Sequence, residues 1–156
     1  MQVNTVEEAI DGAKDIIAEM VSEYETAREK MRKLYKDKAV ISSSVRYGKR
    51  ESGIKYEDYF ECQELLKNCP SHRILAMFRG ENEEILSIDI APDNEESLSL
   101  LESIFIKSRN RCATIMKEAI ADGYKRLLQP SMETEFKMIA KKTADEAAIK
   151  VFADNV

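Results

Sequence analysis

Apolar side chains recur at three and four residues along most of the chain and alternate in only a few short stretches. The first regular run is Val6, Ile10, Ala13, Ile17, Met20 and Tyr24, which predicts an amphipathic helix. Thr5 and Glu8 stand at the capping-box spacing at its start, where hydroxyl and carboxylate each serve one orphan backbone N–H. Ser22 and Glu25 repeat that spacing, so a second helix is expected through about Tyr35. Residues 39–46, A-V-I-S-S-S-V-R, are short and β-branched and read as a strand. Gly48 and Ser52–Gly53 punctuate a basic loop, and Ile54–Tyr59 reads as a second, weaker strand. The segment H-R-I-L-A-M-F-R follows Pro70 and Ser71 and is stopped by Gly80. Ser71 as N-cap and Gly80 beyond the last turn favour a short helix; a strand is the alternative for so short an apolar run. Leu86, Ile88 and Ile90 alternate with Ser87 and Asp89, a half-buried strand able to pair with 39–46.

After Pro92 the pattern is helical to the end. Asp93 and Glu96 make a third capping box, and the helix they open turns Leu98, Leu101, Ile104 and Phe105 inward to about Lys107. A break at Ser108–Arg109 leads to another helix, with Cys112, Ile115, Met116, Ala119 and Ile120 inward, ending near Gln129. Gly123 inside it costs about 1 kcal/mol relative to Ala, a weak spot. Pro130–Ser131 restarts the chain, placing Glu133 and Glu135 in a first turn where the helix dipole favours acids. That last helix carries Phe136, Ile139, Ala140, Ala147, Val151 and Phe152 and reaches the end without a stop signal, as expected of a segment of a larger protein. The fold class expected is mainly α, α+β by a small margin. It is a helical scaffold with a small two- or three-stranded antiparallel β element, with residues 1–156 as a single module.

Composition narrows this further. At 44% hydrophobic and 34% charged, with 5 Gly and 3 Pro in 156 residues, the chain is neither disordered nor collagen-like, and few turn residues argue against a many-stranded barrel. No apolar run approaches the length of a membrane span. Acids throughout the first twenty residues are unlike a secretory signal. Cysteines at 62, 69 and 112 are odd in number and far apart, which disfavours a disulfide framework and makes a reducing, cytoplasmic location the default.

The net charge of −5 hides an asymmetry. Residues 28–55 hold ten bases (Arg28, Lys30, Arg32, Lys33, Lys36, Lys38, Arg46, Lys49, Arg50 and Lys55) and three acids, a local +7 that leaves −12 elsewhere. Residues 81–102 hold eight acids and no Lys or Arg. Such a layout suits oriented docking, or simply two solvated faces. Tyr47, Tyr56, Tyr59 and Phe60 interleave with Arg46, Lys49, Arg50 and Lys55. Bases along phosphates and rings for stacking are what single-stranded nucleic acid needs. The alternative is that these rings pack inward from a short strand.

Little else carries chemistry. A single His excludes a two-His metal site, Cys62 and Cys69 lack zinc-knuckle spacing, and no Gly-rich phosphate loop is present. Cys69 and His72 flank Pro70 as a conceivable nucleophile pair with no third group to orient them, and a buried apolar cysteine is the simpler reading. His72 itself either touches a phosphate or partner domain or bonds a local carbonyl at a helix start. No metal, cofactor or enzymatic activity is expected.

Several strings resemble the Tex family: Y-E-D-Y-F at 56–60, P-S-H-R at 70–73, L-A at 75–76 and R-G-E at 79–81. The likeness continues in N-R at 110–111, Y-K-R-L-L-Q-P-S at 124–131, A-D-E-A-A-I-K-V-F-A at 144–153 and the opening E-E-A-I-D-G-A-K-D-I-I-A-E at 7–19. Tex proteins are bacterial transcription accessory factors related to a eukaryotic elongation factor that handles histones. The resemblance implies the later part of a helical N-terminal region, preceding a ribonuclease-H-like YqgF domain, helix-hairpin-helix units and an OB-fold RNA-binding domain. It implies no catalytic residues here. Pro70, Ser71, His72, Arg73, Arg79 and Gly80 carry over as motif positions without an assigned role. Glu84 stands where the family commonly has Gly in the turn, and Gly123 where a better helix former is usual.

The function expected is a non-catalytic structural module that positions the nucleic-acid-binding domains of a Tex-like factor. Its partners would be the other domains of the full-length protein and, through them, RNA or DNA, with no membrane. One alternative is direct nucleic-acid contact through Arg46, Lys49, Arg50 and Lys55, extended by Lys36 and Lys38. Another is a docking surface for RNA polymerase or another protein.

Overall fold

The computed structural model of the chain describes residues 5–107 and 111–155. The expected break at Ser108–Arg109, and Asn110 of the N-R string, lie outside the described residues. Among those described, the fold is mainly α, with six α-helices and one three-stranded antiparallel sheet. The chain forms two compact units: residues up to Leu34 with Asp93–Met132, and Tyr35–Pro92 with residues from Glu133 onward. No described helix is long and apolar enough to cross a membrane.

The first unit is helical. α1 (Val6–Glu23) starts at Thr5, whose hydroxyl oxygen accepts from the Glu8 N–H at 3.1 Å. Its buried face is not the one that the apolar spacing marks. Ala18, Val21 and Ser22 are buried, whereas Val6 and Met20 stand largely in solvent and Tyr24 is half-exposed beside the Phe105 ring. The reason lies on α5 (Arg111–Gly123), where Gly123 comes so close that a Cβ on it would lie 2.9 Å from the Cα and the carbonyl oxygen of Ala18. Only the small residue of α1 fits that approach, and the larger apolar ones turn aside. Gly123 is therefore a packing requirement and not the weak spot its helix propensity suggests. The Ser22–Glu25 box does not form. Tyr24 is extended, α2 (Glu25–Lys38) begins beyond it, and the Ser22 hydroxyl donates to the Glu19 carbonyl at 2.8 Å. The Ser22 carbonyl, orphaned at the helix end, accepts from Arg28 Nη1 at 2.8 Å, while Arg28 Nη2 donates to Ser131 Oγ at 2.9 Å.

The Asp93 cap does form: its carboxylate accepts from the Glu96 N–H at 3.2 Å and opens α4 (Asn94–Phe105). Leu101 is fully buried, as its spacing predicts. Ser97 is buried too, and it is satisfied: its hydroxyl donates to the Asp93 carbonyl at 3.0 Å and accepts from the Tyr124 hydroxyl at 3.1 Å. On α5, Ala119 and Ile120 are buried but Cys112 is exposed, against the expected inward position. Nor does the chain restart at Pro130. A π-helical stretch, Tyr124–Leu128, leads directly into α6 (Gln129–Asp154). Pro130 lacks an N–H, and its ring crowds the carbonyl four residues earlier. The widened π turn ends one residue before Gln129 and supplies the needed room.

The second unit holds the sheet. β1 (Val40–Val45) lies centrally, antiparallel to β2 (Glu61–Leu65) on one side and β3 (Leu86–Ala91) on the other. Ser43 faces Cys62 and Ile88 across the two ladders, and Ile41 faces Glu64 and Ile90. The pairing of 39–46 with the Leu86 strand is as its alternation predicts. The second strand is not. Ile54–Tyr59 is a short 3₁₀ stretch that buries Tyr56, and the strand starts only at Glu61. As an edge strand of composition E-C-Q-E-L, β2 is held by backbone pairing and carries almost no apolar signal.

Residues 71–79 are helical. α3 (Ser71–Asn82) packs on β3 with Ile74, Met77 and Phe78 buried. Its cap position is Pro70 rather than Ser71, and Gly80 lies inside it, not beyond it. A Cβ at Gly80 would collide with the Leu86 side chain, so this residue marks close packing of helix on strand. The helix ends in a Schellman arrangement. The Ile85 N–H donates to the Gly80 carbonyl at 2.9 Å and the Glu84 N–H to the Glu81 carbonyl at 3.0 Å, with Glu84 in the left-handed region at φ 61°. On α6, Phe136, Ala140 and Ala144 are buried and the Phe136 ring lies 5.3 Å from that of Tyr35. Ile139, Val151 and Phe152 are exposed. Glu133 sits mid-helix and not in a first turn. Burial, above all, holds its carboxyl above the usual range, with Lys137 Nζ at 3.4 Å opposing that shift.

Candidate nucleic-acid interface

The basic residues singled out from the sequence divide into two environments. Arg46, Lys49 and Arg50 lie on the turn that leaves β1. The Lys49 N–H donates to the Arg46 carbonyl at 3.1 Å, closing a tight turn with Tyr47 and Gly48 at its tip. Gly48 has φ +76°, which a type II turn needs at that position and which Gly adopts without strain. Tyr47, one position earlier, is thrown clear of the protein, with a relative exposure of 103%.

The turn is anchored on both sides. The Arg46 N–H donates to the Ile85 carbonyl at 2.9 Å, and its Nε donates to the Leu86 carbonyl at 3.1 Å. The Gly53 N–H donates back to the Lys49 carbonyl at 2.8 Å. Arg50 is set by a different force: its guanidinium carbon stands 5.7 Å from the centre of the buried Phe60 ring. Val45, Arg46, Tyr47, Gly48, Arg50 and Glu51 thus line one shallow groove.

Lys55 belongs elsewhere. Its ammonium donates to Glu83 at 3.0 Å and lies 5.2 Å from the Tyr56 ring. The Tyr56 hydroxyl donates to the same carboxylate. These two bonds, Tyr56 first, hold the Glu83 carboxyl below its ordinary value. Burial pushes the Tyr56 phenol up to about 12. Of the four rings that interleave with the bases, Tyr56 and Phe60 are buried, Tyr59 is half-buried, and Tyr47 alone among them is exposed. The sequence grouped Lys55 with the turn because the partner that claims it, Glu83, lies 28 residues away.

The motif positions at and around α3 have different surroundings. Pro70 caps the helix, and its carbonyl accepts from the Arg73 and Ile74 N–H groups at 3.1 and 3.2 Å. Ser71 lines an open groove with Lys36, Lys67, Ile74, Phe136 and Ile139. Arg73 donates to Glu64 of β2 at 3.0 Å. Arg79 is exposed near Glu83, and Gly80 admits Leu86. His72 is exposed, while Cys69 is buried and its thiol is pushed up to about 12, first by burial and then by the Glu64 charge. A buried thiol held protonated is no nucleophile. Among the described residues, no group of three or more His, Cys, Asp or Glu is placed to hold a metal ion.

The comparisons with known proteins bear on the chain as a whole. It is 39% identical over 99% of its length to YdcI of Bacillus subtilis (strain 168), and 32% identical over 95% to YhgF of Escherichia coli (strain K12). It is 31% identical over 95% of its length to the transcriptional accessory protein Tex of Neisseria gonorrhoeae. It spans only 22%, 20% and 20% of those three proteins, about a fifth of the length of the curated relatives it matches. Residues 1–152 match the sequence profile of the family described as Tex central region-like. With that match over nearly its whole length, the chain belongs to the Tex central region-like family.

Proposed function

We propose that this chain is a non-catalytic structural module of a transcription accessory factor, orienting the nucleic-acid-binding domains of a longer protein. The observation that carries this reading is on α6, where Ile149, Val151 and Phe152 are 61–73% exposed in a chain that spans a fifth of its relatives. Of these, Ile149 and Phe152 stand three residues apart on the same side of the helix, and large apolar residues left in water there suit a face that packs against another domain. The relative named transcriptional accessory protein Tex supplies the process. Limited proteolysis of the longer protein tests the reading. Phe152→Ser is expected to leave this segment folded and to open new cleavage sites between it and the following domain. An unchanged cleavage pattern would sink it.

A second reading is compatible with the first. The turn bearing Arg46, Lys49 and Arg50 touches nucleic acid directly, favoured by the anchored, exposed geometry around Tyr47. Neutralising about three phosphates corresponds to a log–log salt slope of roughly −2 to −3, at −0.7 to −0.9 per contact. Fluorescence anisotropy with labelled RNA and DNA at two salt concentrations reads that slope. No binding up to about 100 micromolar at low salt, the weak end of non-specific affinity, excludes this reading.

A further inference from the structure

We infer that Tyr47, Arg46 and Arg50 form a subsite for one unstacked base and its flanking phosphates on a single-stranded nucleic acid. The inference rests on the second reading above and narrows it from a charged surface to a stacking site. Three observations carry it. Tyr47 is fully exposed, so its ring face is open to a stacking partner. It is not on a loose loop: the turn is closed by the Arg46–Lys49 bond and fixed to β3 through Arg46, so the backbone that carries the ring is held in place before any ligand arrives. The two guanidinium groups nearest in sequence are themselves oriented, one by the Leu86 carbonyl and the other by the Phe60 ring. Arg46 uses Nε on the protein, which leaves the two Nη groups as donors for phosphate oxygens.

Single strands fit this arrangement better than duplexes. A ring on a protruding turn offers its face to a base, and the bases of a duplex have theirs covered by neighbours. Stacking is tolerant of base identity, so the site would read strandedness and not sequence. RNA and single-stranded DNA share the chemistry, and an acidic peptide shares the charge but has no base.

The experiment is anisotropy of the 156-residue chain with a labelled single strand of about eight nucleotides, within the site sizes of stacking platforms. A duplex of the same sequence and an acidic peptide of equal charge serve as controls. Tyr47→Ala is expected to weaken single-strand binding about 5- to 150-fold, the range that loss of one stacked base gives, and to leave the salt slope unchanged. Tyr47→Phe keeps the affinity. Arg50→Gln makes the slope shallower by about one contact. If Tyr47→Ala binds as tightly as the unaltered chain while Arg50→Gln still weakens it, stacking is overturned and the charge contact stands. Loss of peptide or duplex binding on Tyr47→Ala equal to the loss for the single strand also overturns it. Failure of the unaltered chain to bind up to about 100 micromolar at low salt removes both the subsite and the second reading, leaving the structural module.

Discussion

Gly123 of α5 stands so close to Ala18 of α1 that a Cβ on the glycine would lie 2.9 Å from both the Cα and the carbonyl oxygen of the alanine, and 3.2 Å from its Cβ. Two of those three atoms are backbone and cannot rotate aside. The pair fixes which face of α1 is buried, because only a small residue opposite a glycine lets the helices approach this closely.

Gly123→Ala therefore destabilises the protein, although alanine is the better helix former by about 1 kcal/mol. Overpacking of this kind costs about 1–3 kcal/mol, so the packing term wins. Urea unfolding followed by circular dichroism measures it. An unchanged or raised midpoint would mean that the helices are further apart than described.

Glu84 invites the opposite change. It occupies the left-handed position of the Schellman turn after α3, where a side chain costs about 1–2 kcal/mol and glycine almost nothing. Glu84→Gly is expected to raise stability by about 1 kcal/mol, less whatever backbone freedom glycine adds to the unfolded chain. A loss of stability on thermal unfolding would argue that the Glu84 side chain makes a compensating contact.

The Glu83 site sets a pH dependence. Its carboxyl is held below its ordinary 4.5, chiefly by the Tyr56 hydroxyl and next by Lys55. A folded state that holds the proton less tightly than the unfolded one is stabilised above the unfolded value. That contribution is lost as pH falls from 4.5 through the lower folded value. Glu83→Gln is expected to flatten this part of the acid limb of stability against pH. Tyr56, raised from 10 to about 12 by burial and then by Glu83, works at the other end, with its contribution present below pH 10 and lost towards 12. Equal acid slopes in the two proteins would show that the pairing is not formed in solution.

The cysteines differ in reactivity. Cys112 is exposed, whereas Cys69 is buried with its thiol pushed up to about 12. The thiolate is the reactive form, so a maleimide at neutral pH should label Cys112 in the native protein and Cys69 only in denaturant. Mass spectrometry of a time course separates the two. Native labelling of Cys69 at the Cys112 rate would contradict the burial.

Elements whose signals are local were legible in the sequence. The caps at Thr5 and Asp93 depend on residues three apart, and both form. The alternation of Leu86, Ile88 and Ile90 depends on one buried face, and β3 follows. The helix at 71–79 is legible from Pro70–Ser71 and its apolar spacing, but its end is not, because Gly80 answers to Leu86, six residues on, and not to the helix end. In the candidate interface, Arg46, Lys49 and Arg50 were legible as a basic group, and Gly48 marks the turn. Which of the four rings reaches solvent was not legible, since Tyr56 and Phe60 are withdrawn by burial.

By itself, then, the sequence determined the mainly helical character, the caps, the central and β3 strands and the basic character of the turn. Each of these follows from residues close together in the chain. Only the tertiary structure decided the buried face of α1, the edge strand β2 and the removal of Lys55 to Glu83. Each of those depends on an atom brought near by folding. A backbone placed 2.9 Å away, a ladder partner or a carboxylate 28 residues along leaves no periodic trace in the sequence.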